Sequence, residues 1–140
     1  TTSTLQSYYM GCHKLHDFFI LLDGDIIPQK SSFENFLDKF AHQDIIGMAP
    51  ATTQDAVFIH VNDRQQVVEF TRDKISPYEW SNIALLHSDH FINENIYVYQ
   101  CVEKFLPVCA EKIERLEIDT AADMEYALNT MRQLPEEYTL

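Results

Sequence analysis

Apolar positions recur along this chain with two periods, and the changes of period mark its elements. Leu5, Tyr8, Tyr9, Cys12 and Leu15 stand at helical spacing, behind a Thr/Ser cluster able to cap a helix near Ser3. Gly11 weakens that helix without abolishing it. Five consecutive large apolar residues follow, Phe18 to Leu22, a run suited to a strand buried on both faces of a parallel sheet. Ser31-x-x-Glu34 then reads as a capping box, with Phe33, Phe36, Leu37 and Phe40 on one helix face. Helix, strand and helix in that order is the grammar of an α/β protein.

The middle of the chain turns to strands. Ile45 to Ala49 is a short apolar run closed by Pro50. Val57 to Val61 and Val67 to Thr71 flank Asn62-Asp63-Arg64-Gln65, a hairpin connection. Ile83 to Leu86 gives another short strand, entered through Ser76-Pro77-Tyr78-Glu79-Trp80. Helical spacing returns from about Asn93 to Leu106, with Ile96, Tyr99, Val102, Phe105 and Leu106 in phase until Pro107 stops it. Ile113 to Ile118 alternates and predicts a last strand. Thr120-x-x-Asp123 caps a closing helix whose expected buried stripe is Ala121, Met124, Ala127, Leu128 and Met131. No internal repeat, low-complexity tract or linker interrupts the 140 residues, so they read as one domain.

Two acidic motifs stand out against this pattern. The run Phe18 to Leu22 ends in Asp23-Gly24-Asp25, and Ile118 runs into Asp119. Ligands of open α/β sheets sit beyond the carboxyl ends of strands, so carboxylates there can cradle a divalent cation and the phosphates it carries. Gly24 would allow close backbone approach. The competing readings are an ordinary Asp-Gly turn and a helix-capping role for Asp119 beside Thr120 and Asp123. If the two strands share one sheet edge, Asp25 and Asp119 converge on one hard ion.

Composition narrows the partners. A net charge of −12 opposes a nucleic-acid backbone or an anionic membrane surface as the main partner. A hydrophobic content of 46% supports a folded core rather than disorder. Cys12, Cys101 and Cys109 lack metal-knuckle spacing and read as reduced thiols, which with no apparent signal peptide or long apolar stretch points to the cytoplasm. The six histidines form no HExxH-like pair.

Leu22-Asp23-Gly24-Asp25-Ile26-Ile27, Val68-Glu69-Phe70, Glu79-Trp80-Ser81-Asn82-Ile83 and Glu117-Ile118-Asp119-Thr120, with Asp123 and Ala127, follow one another in a familiar order. Together they resemble the C-terminal two thirds of a GT-A-type nucleotidyltransferase domain, the superfamily of MobA-like and sugar-phosphate or choline-phosphate nucleotidylyltransferases. The resemblance implies a three-layer α/β/α fold with a mixed, mostly parallel central sheet that lacks the first strand or strands. It implies transfer of a nucleotidyl group from a nucleoside triphosphate to a small phosphorylated acceptor. Asp25 and Asp119 would hold Mg²⁺, or Mn²⁺ as the alternative, with Asp23 beside them or taking part in an Asp-x-Asp site. Glu79 and Trp80 would wall the acceptor pocket, and Trp80 with Tyr78 could face a quaternary ammonium by cation–π attraction. Ordinary core packing is the competing reading of Trp80.

The chain departs from that family in one respect. Its three glycines, Gly11, Gly24 and Gly47, form no glycine-rich phosphate loop, and no basic residue stands in the context of one. Residues 1–140 are therefore expected to be an N-terminally truncated domain, weakly active or inactive until the missing half completes it. Two other classes compete: a GT-A glycosyltransferase using Asp23-Gly24-Asp25, and a non-catalytic domain that binds a nucleotide or a protein. An uncovered sheet edge would also invite a homo-oligomer.

Overall fold

The computed structural model describes residues 3–53 and 55–138. Its helices are α1 (Thr4–Cys12), α2 (Lys30–Asp38), α3 (Val98–Val102), α4 (Ala121–Gln133) and α5 (Pro135–Tyr138). Its strands are β1 (Phe18–Leu22), β2 (Ile26–Pro28), β3 (Ile45–Pro50), β4 (Phe58–Val61), β5 (Gln66–Thr71), β6 (Tyr78–His87), β7 (Val108–Lys112) and β8 (Arg115–Glu117). Six strands form one sheet in the order β1-β6-β3-β7-β5-β4, and β2 pairs with β8 in a separate ladder.

Several elements lie where the pattern places them, because the cause is local. The Ser3 hydroxyl accepts from the Gln6 N–H at 3.2 Å while the Gln6 side chain accepts from the Ser3 N–H at 3.1 Å, a reciprocal cap that opens α1. Thr120 and Asp123 do the same for α4. In the β4–β5 hairpin, the Asn62 side-chain oxygen accepts from the Arg64 and Gln66 N–H groups, and Gln65 takes a left-handed φ of 58°.

The sheet differs from expectation. It is mixed, but not mostly parallel: only β3 and β7 run parallel, whereas β1–β6, β3–β6, β4–β5 and β5–β7 are antiparallel. Two strands run against the others: β6, a ten-residue strand between β1 and β3, and β5, between β7 and β4. Nor is β1 buried on both faces. It is an edge strand, with Leu21 fully buried but Ile20 44% and Leu22 39% exposed.

Other differences follow from tertiary contacts. α1 stops at Cys12, leaving Leu15 exposed beyond it. α2 starts at Lys30 behind Gln29, which gives no side-chain cap, and Ser31 instead donates to Glu137 at 2.8 Å. The long helix expected to Leu106 contracts to α3 and a 3₁₀ turn, Glu103–Phe105. β7 follows Pro107 unannounced, and the strand expected at Ile113 to Ile118 shortens to β8. Of the stripe expected on α4, only Ala127 is buried, while Met124 and Leu128 are among the exposed apolar residues.

Two apolar cores result. Leu5 and Cys12 of α1 and Val98, Cys101 and Val102 of α3 join Leu21, Ile46, Met48, Ala84 and Leu86. Phe36 of α2, with Phe33, Leu37 and Phe40, joins Ile45, Ile83 and Leu85. Neighbours along β3 and β6 thus divide between the two cores, as side chains on opposite faces of a strand must. All three cysteines are free thiols, Cys12 and Cys101 buried. Among the described residues no helix is long and apolar enough to cross a membrane.

Candidate functional site

The Asp-Gly-Asp turn is tight: the Ile26 N–H donates back to the Asp23 carbonyl at 3.2 Å. Gly24 is not demanded by the fold, since a Cβ there would meet nothing within 4 Å and its φ is not left-handed. The chain then enters β2, which pairs antiparallel with β8 in the register Ile26↔Glu117, Ile27↔Leu116 and Pro28↔Arg115. One further bond extends the ladder, from the Ile118 N–H to the Asp25 carbonyl at 3.0 Å. Asp25 and Asp119 thereby lie at the same open end of one ladder, both exposed.

The two neighbouring acids behave differently. Asp23 is half-buried and accepts from the Tyr8 hydroxyl at 2.5 Å. Burial raises its carboxyl above the usual range and the Asp25 charge adds to that, while the Tyr8 bond pulls the other way. Burial, together with Asp23 and Asp25, drives the Tyr8 hydroxyl far above the ordinary phenol range. Asp123 accepts from the N–H groups of Asp119 and Thr120 and from the Thr120 hydroxyl, at 3.2, 2.8 and 2.8 Å. The cap of α4 is thus completed by Thr120 and Asp123, with no contribution from the Asp119 carboxylate.

Arg115 organises the floor beneath these acids. Its side chain, 4% exposed, donates to Glu79 at 2.9 Å, pairs with Glu117 at 3.0 Å and donates through Nε to the Ser81 carbonyl at 2.9 Å. Glu79, 1% exposed, is satisfied on its other oxygen by the Thr52 N–H, the Thr53 N–H and the Thr53 hydroxyl. Asn82, held at a φ of 60°, donates to Glu117 at 3.5 Å and reaches Asp23 through its backbone carbonyl. Burial raises the Glu117 carboxyl and the charges of Asp119, Glu79 and Asp25 push the same way, against the pull of Arg115.

Two hollows adjoin the acids. A cleft of about 580 Å³ is lined by Thr52, Thr53, Arg115, Glu117, Asp119 and Thr120, among others. A smaller hollow of about 150 Å³ is bounded by Asp23, Trp80, Asn82, Arg72, Tyr97 and Tyr99. Arg72 stands over the Tyr97 and Tyr99 rings at 5.6 and 5.8 Å, so those aromatic faces already hold a cation.

Of the residues singled out from sequence, Asp23 and Asp25 share one turn, and Asp119 joins Asp25 across the ladder. Trp80 lines the smaller hollow while packing edge-on against Phe70. Glu79 and Tyr78 line neither hollow. Glu79 is committed to Arg115, and Lys112 lies 5.3 Å over the Tyr78 ring. Sequence reasoning missed Arg115, Glu117, Asn82, Arg72 and Tyr8. Glu117 lay within a quoted motif, and the alternation of Ile113 to Ile118 offered a cue for Arg115, but neither marks which face is buried.

Among the described residues no group of three or more His, Cys, Asp or Glu side chains is arranged to cage a metal. The donor set of Asp25 and Asp119 is two hard carboxylates, which suits Mg²⁺ when waters and phosphate oxygens fill the remaining positions.

No known family profile and no curated protein matches this sequence. Solved structures do. The inositol-1-phosphate CTP transferase from T. maritima superposes with a TM-score of 0.72 at 16% identity, over 91% of this chain and 61% of its own. The CTP:phosphocholine cytidylyltransferase from Streptococcus pneumoniae gives 0.72 at 15% identity, over 93% of this chain and 64% of its own. A CMP:2-keto-3-deoxy-manno-octonic acid synthetase complexed with CTP gives 0.63 at 15% identity, over 95% and 69%. The chain thus spans about three fifths of the length of the first two. Its mixed α/β architecture has the fold of these nucleotidyl-transferring enzymes.

Proposed function

We propose that this chain carries the metal-binding carboxylates of a nucleotidyltransferase, moving a nucleotidyl group from a nucleoside triphosphate to a small phosphorylated acceptor. The supporting observation is the β2–β8 ladder, extended by the bond from the Ile118 N–H to the Asp25 carbonyl, which leaves Asp119 one residue further on at the same end as Asp25. In this reading Asp25 and Asp119 hold Mg²⁺ with the nucleotide phosphates. When bound, the ion neutralises charge on the departing pyrophosphate. Asp23, half-buried and already accepting from the Tyr8 hydroxyl, positions the turn rather than serving as a first ligand. That favours nucleotidyl transfer over an Asp-x-Asp sugar-nucleotide site.

An acceptor phosphate oxygen attacks the α-phosphorus as the bond to pyrophosphate breaks. Trp80 walls the hollow on the acceptor side, and Arg72 offers a positive charge there for the acceptor phosphate. Glu79 acts at one remove, holding Arg115 and through it Glu117. Since the sequence has no glycine-rich phosphate loop, the remaining phosphate donors are assigned to residues outside these 140.

Calorimetric titration with CTP, named in the descriptions of all three structures, tests the reading. Heat is expected only with Mg²⁺ or Mn²⁺, and Asp25→Ala or Asp119→Ala should weaken it at least tenfold. Metal-independent binding, unchanged binding in both variants, or no heat with CTP, UTP, GTP or ATP would overturn it.

A further inference from the structure

Asp23 and Asp25 flank one glycine, yet the fold treats them differently. Asp25 is exposed at the end of the β2–β8 ladder. Asp23 is half-buried, and its Oδ1 accepts from the Tyr8 hydroxyl at 2.5 Å. Its main chain is held as well, with the N–H donating to the Asn82 carbonyl at 3.4 Å and the carbonyl accepting from the Ile26 N–H at 3.2 Å. The Tyr8 hydroxyl is itself fixed by packing. Its ring lies edge-on to Phe91, 6.5 Å between centroids, and α1 is anchored in the first core by Leu5 and Cys12. The hollows divide the acids in the same way: Asp23 borders the smaller one with Trp80 and Asn82, whereas Asp119 and Glu117 border the larger cleft.

We propose that Tyr8 is a positioning residue that withholds Asp23 from the metal, so that the site takes the ion together with a triphosphate rather than alone. This rests on the assignment of Asp25 and Asp119 as metal ligands. Two exposed carboxylates supply only part of the shell of a hard dication, and leave positions for waters and phosphate oxygens. A third carboxylate would occupy one of those positions and tighten binding of the bare ion, because affinity follows ligand charge. Asp23 is the acid placed to supply it, in an Asp-x-Asp spacing with Asp25. The phenol opposes that. To reach the ion, Asp23 must give up a charge-assisted hydrogen bond, the stronger class, and strand the Tyr8 hydroxyl at the rim of the core. Without the hydroxyl the balance reverses: a half-buried carboxylate is left short of a donor, and a cation satisfies it.

The test is a Mn²⁺ titration of the 140-residue chain followed by electron paramagnetic resonance, which reads the free ion, without nucleotide and then with CTP. The native chain should hold bare Mn²⁺ weakly and bind it more tightly with CTP present. Tyr8→Phe keeps the ring and removes the hydroxyl, and should bind bare Mn²⁺ roughly tenfold tighter than the native chain, the gain of one charged ligand. Tyr8→Phe/Asp23→Asn should return to the native value. Circular dichroism checks the fold, and Tyr8→Met is the substitute if Tyr8→Phe does not fold. Damaged packing cannot produce tighter binding that depends on the Asp23 carboxylate. Unchanged or weaker binding in Tyr8→Phe, a gain that survives Asp23→Asn, or a native chain that binds bare Mn²⁺ as tightly as with CTP overturns the proposal. Asp25→Ala separates it from the ligand assignment. If Asp25→Ala abolishes the heat with CTP while Tyr8→Phe brings no gain, the assignment stands and the role of Tyr8 falls. If that heat survives Asp25→Ala, the assignment itself fails.

Discussion

Arg115→Ala is the perturbation that most directly probes how the candidate site is supported. The side chain bridges two carboxylates and a carbonyl, at 2.9 Å to Glu79, 3.0 Å to Glu117 and 2.9 Å to Ser81. Removing one partner of a buried ion pair costs about 3–5 kcal/mol, because the charge left behind is unpaired. Glu79 keeps its bonds to Thr52 and Thr53, and the Glu117 side chain is 17% exposed and partly screened, so the lower end of that range applies. With a urea dependence of roughly 2 kcal/mol per molar, a loss of about 3 kcal/mol lowers the unfolding midpoint by about 1.5 M. Circular dichroism in urea reads this without the ionic screening of guanidinium. Arg115→Ala/Glu79→Gln should be the more stable of the two variants, because the amide retains an acceptor for the threonines without a buried charge. A midpoint shift below about 0.5 M for Arg115→Ala, or a double variant weaker than the single one, would refute the reasoning.

Gly47→Ala should destabilise the chain by about 1–3 kcal/mol in thermal melts, the range for overpacking a core. The new Cβ would lie 2.6 Å from the Ser81 hydroxyl and 2.7 Å from the Ile83 carbonyl, and a neutral substitution would refute the β3–β6 packing described above. Asp23 and Glu117 both titrate above the usual carboxylate range, so the stability they contribute is complete below the unfolded value of about 4 and is lost as pH rises through their raised values. The melting temperature of Asp23→Asn, relative to the native chain, should therefore rise between pH 4 and pH 7. A relative fall over that window would show that burial does not raise the Asp23 carboxyl.

Legibility followed the range of the cause. The caps at Ser3 and Thr120 and the Asn62 hairpin rest on contacts within a few residues, and spacing alone revealed them. β6 was half-read because Glu79, Ser81 and Asn82 look like loop residues. Their polar groups are satisfied by Arg115, Gly47 and Glu117, which only the folded chain supplies. β7 carries little local signal between Pro107 and Ile113, and its pairing with β3 is long-range. On α4 the apolar stripe is present in the sequence, but only Ala127 of it is buried in the fold, while Met124 and Leu128 remain exposed.

The sequence by itself determined the α/β alternation, the position of β1 and the two acidic motifs, because hydrophobic period and capping chemistry are properties of neighbouring residues. Tertiary structure decided the rest. It set β6 antiparallel into the sheet, moved an interior-type strand to the edge, and placed the segments leading to Asp25 and Asp119 at one end of a ladder of two three-residue strands too short to announce themselves. It also turned Glu79 from a candidate pocket wall into the buried partner of Arg115, since whether a charged side chain faces solvent or a counter-ion depends on what packs opposite it.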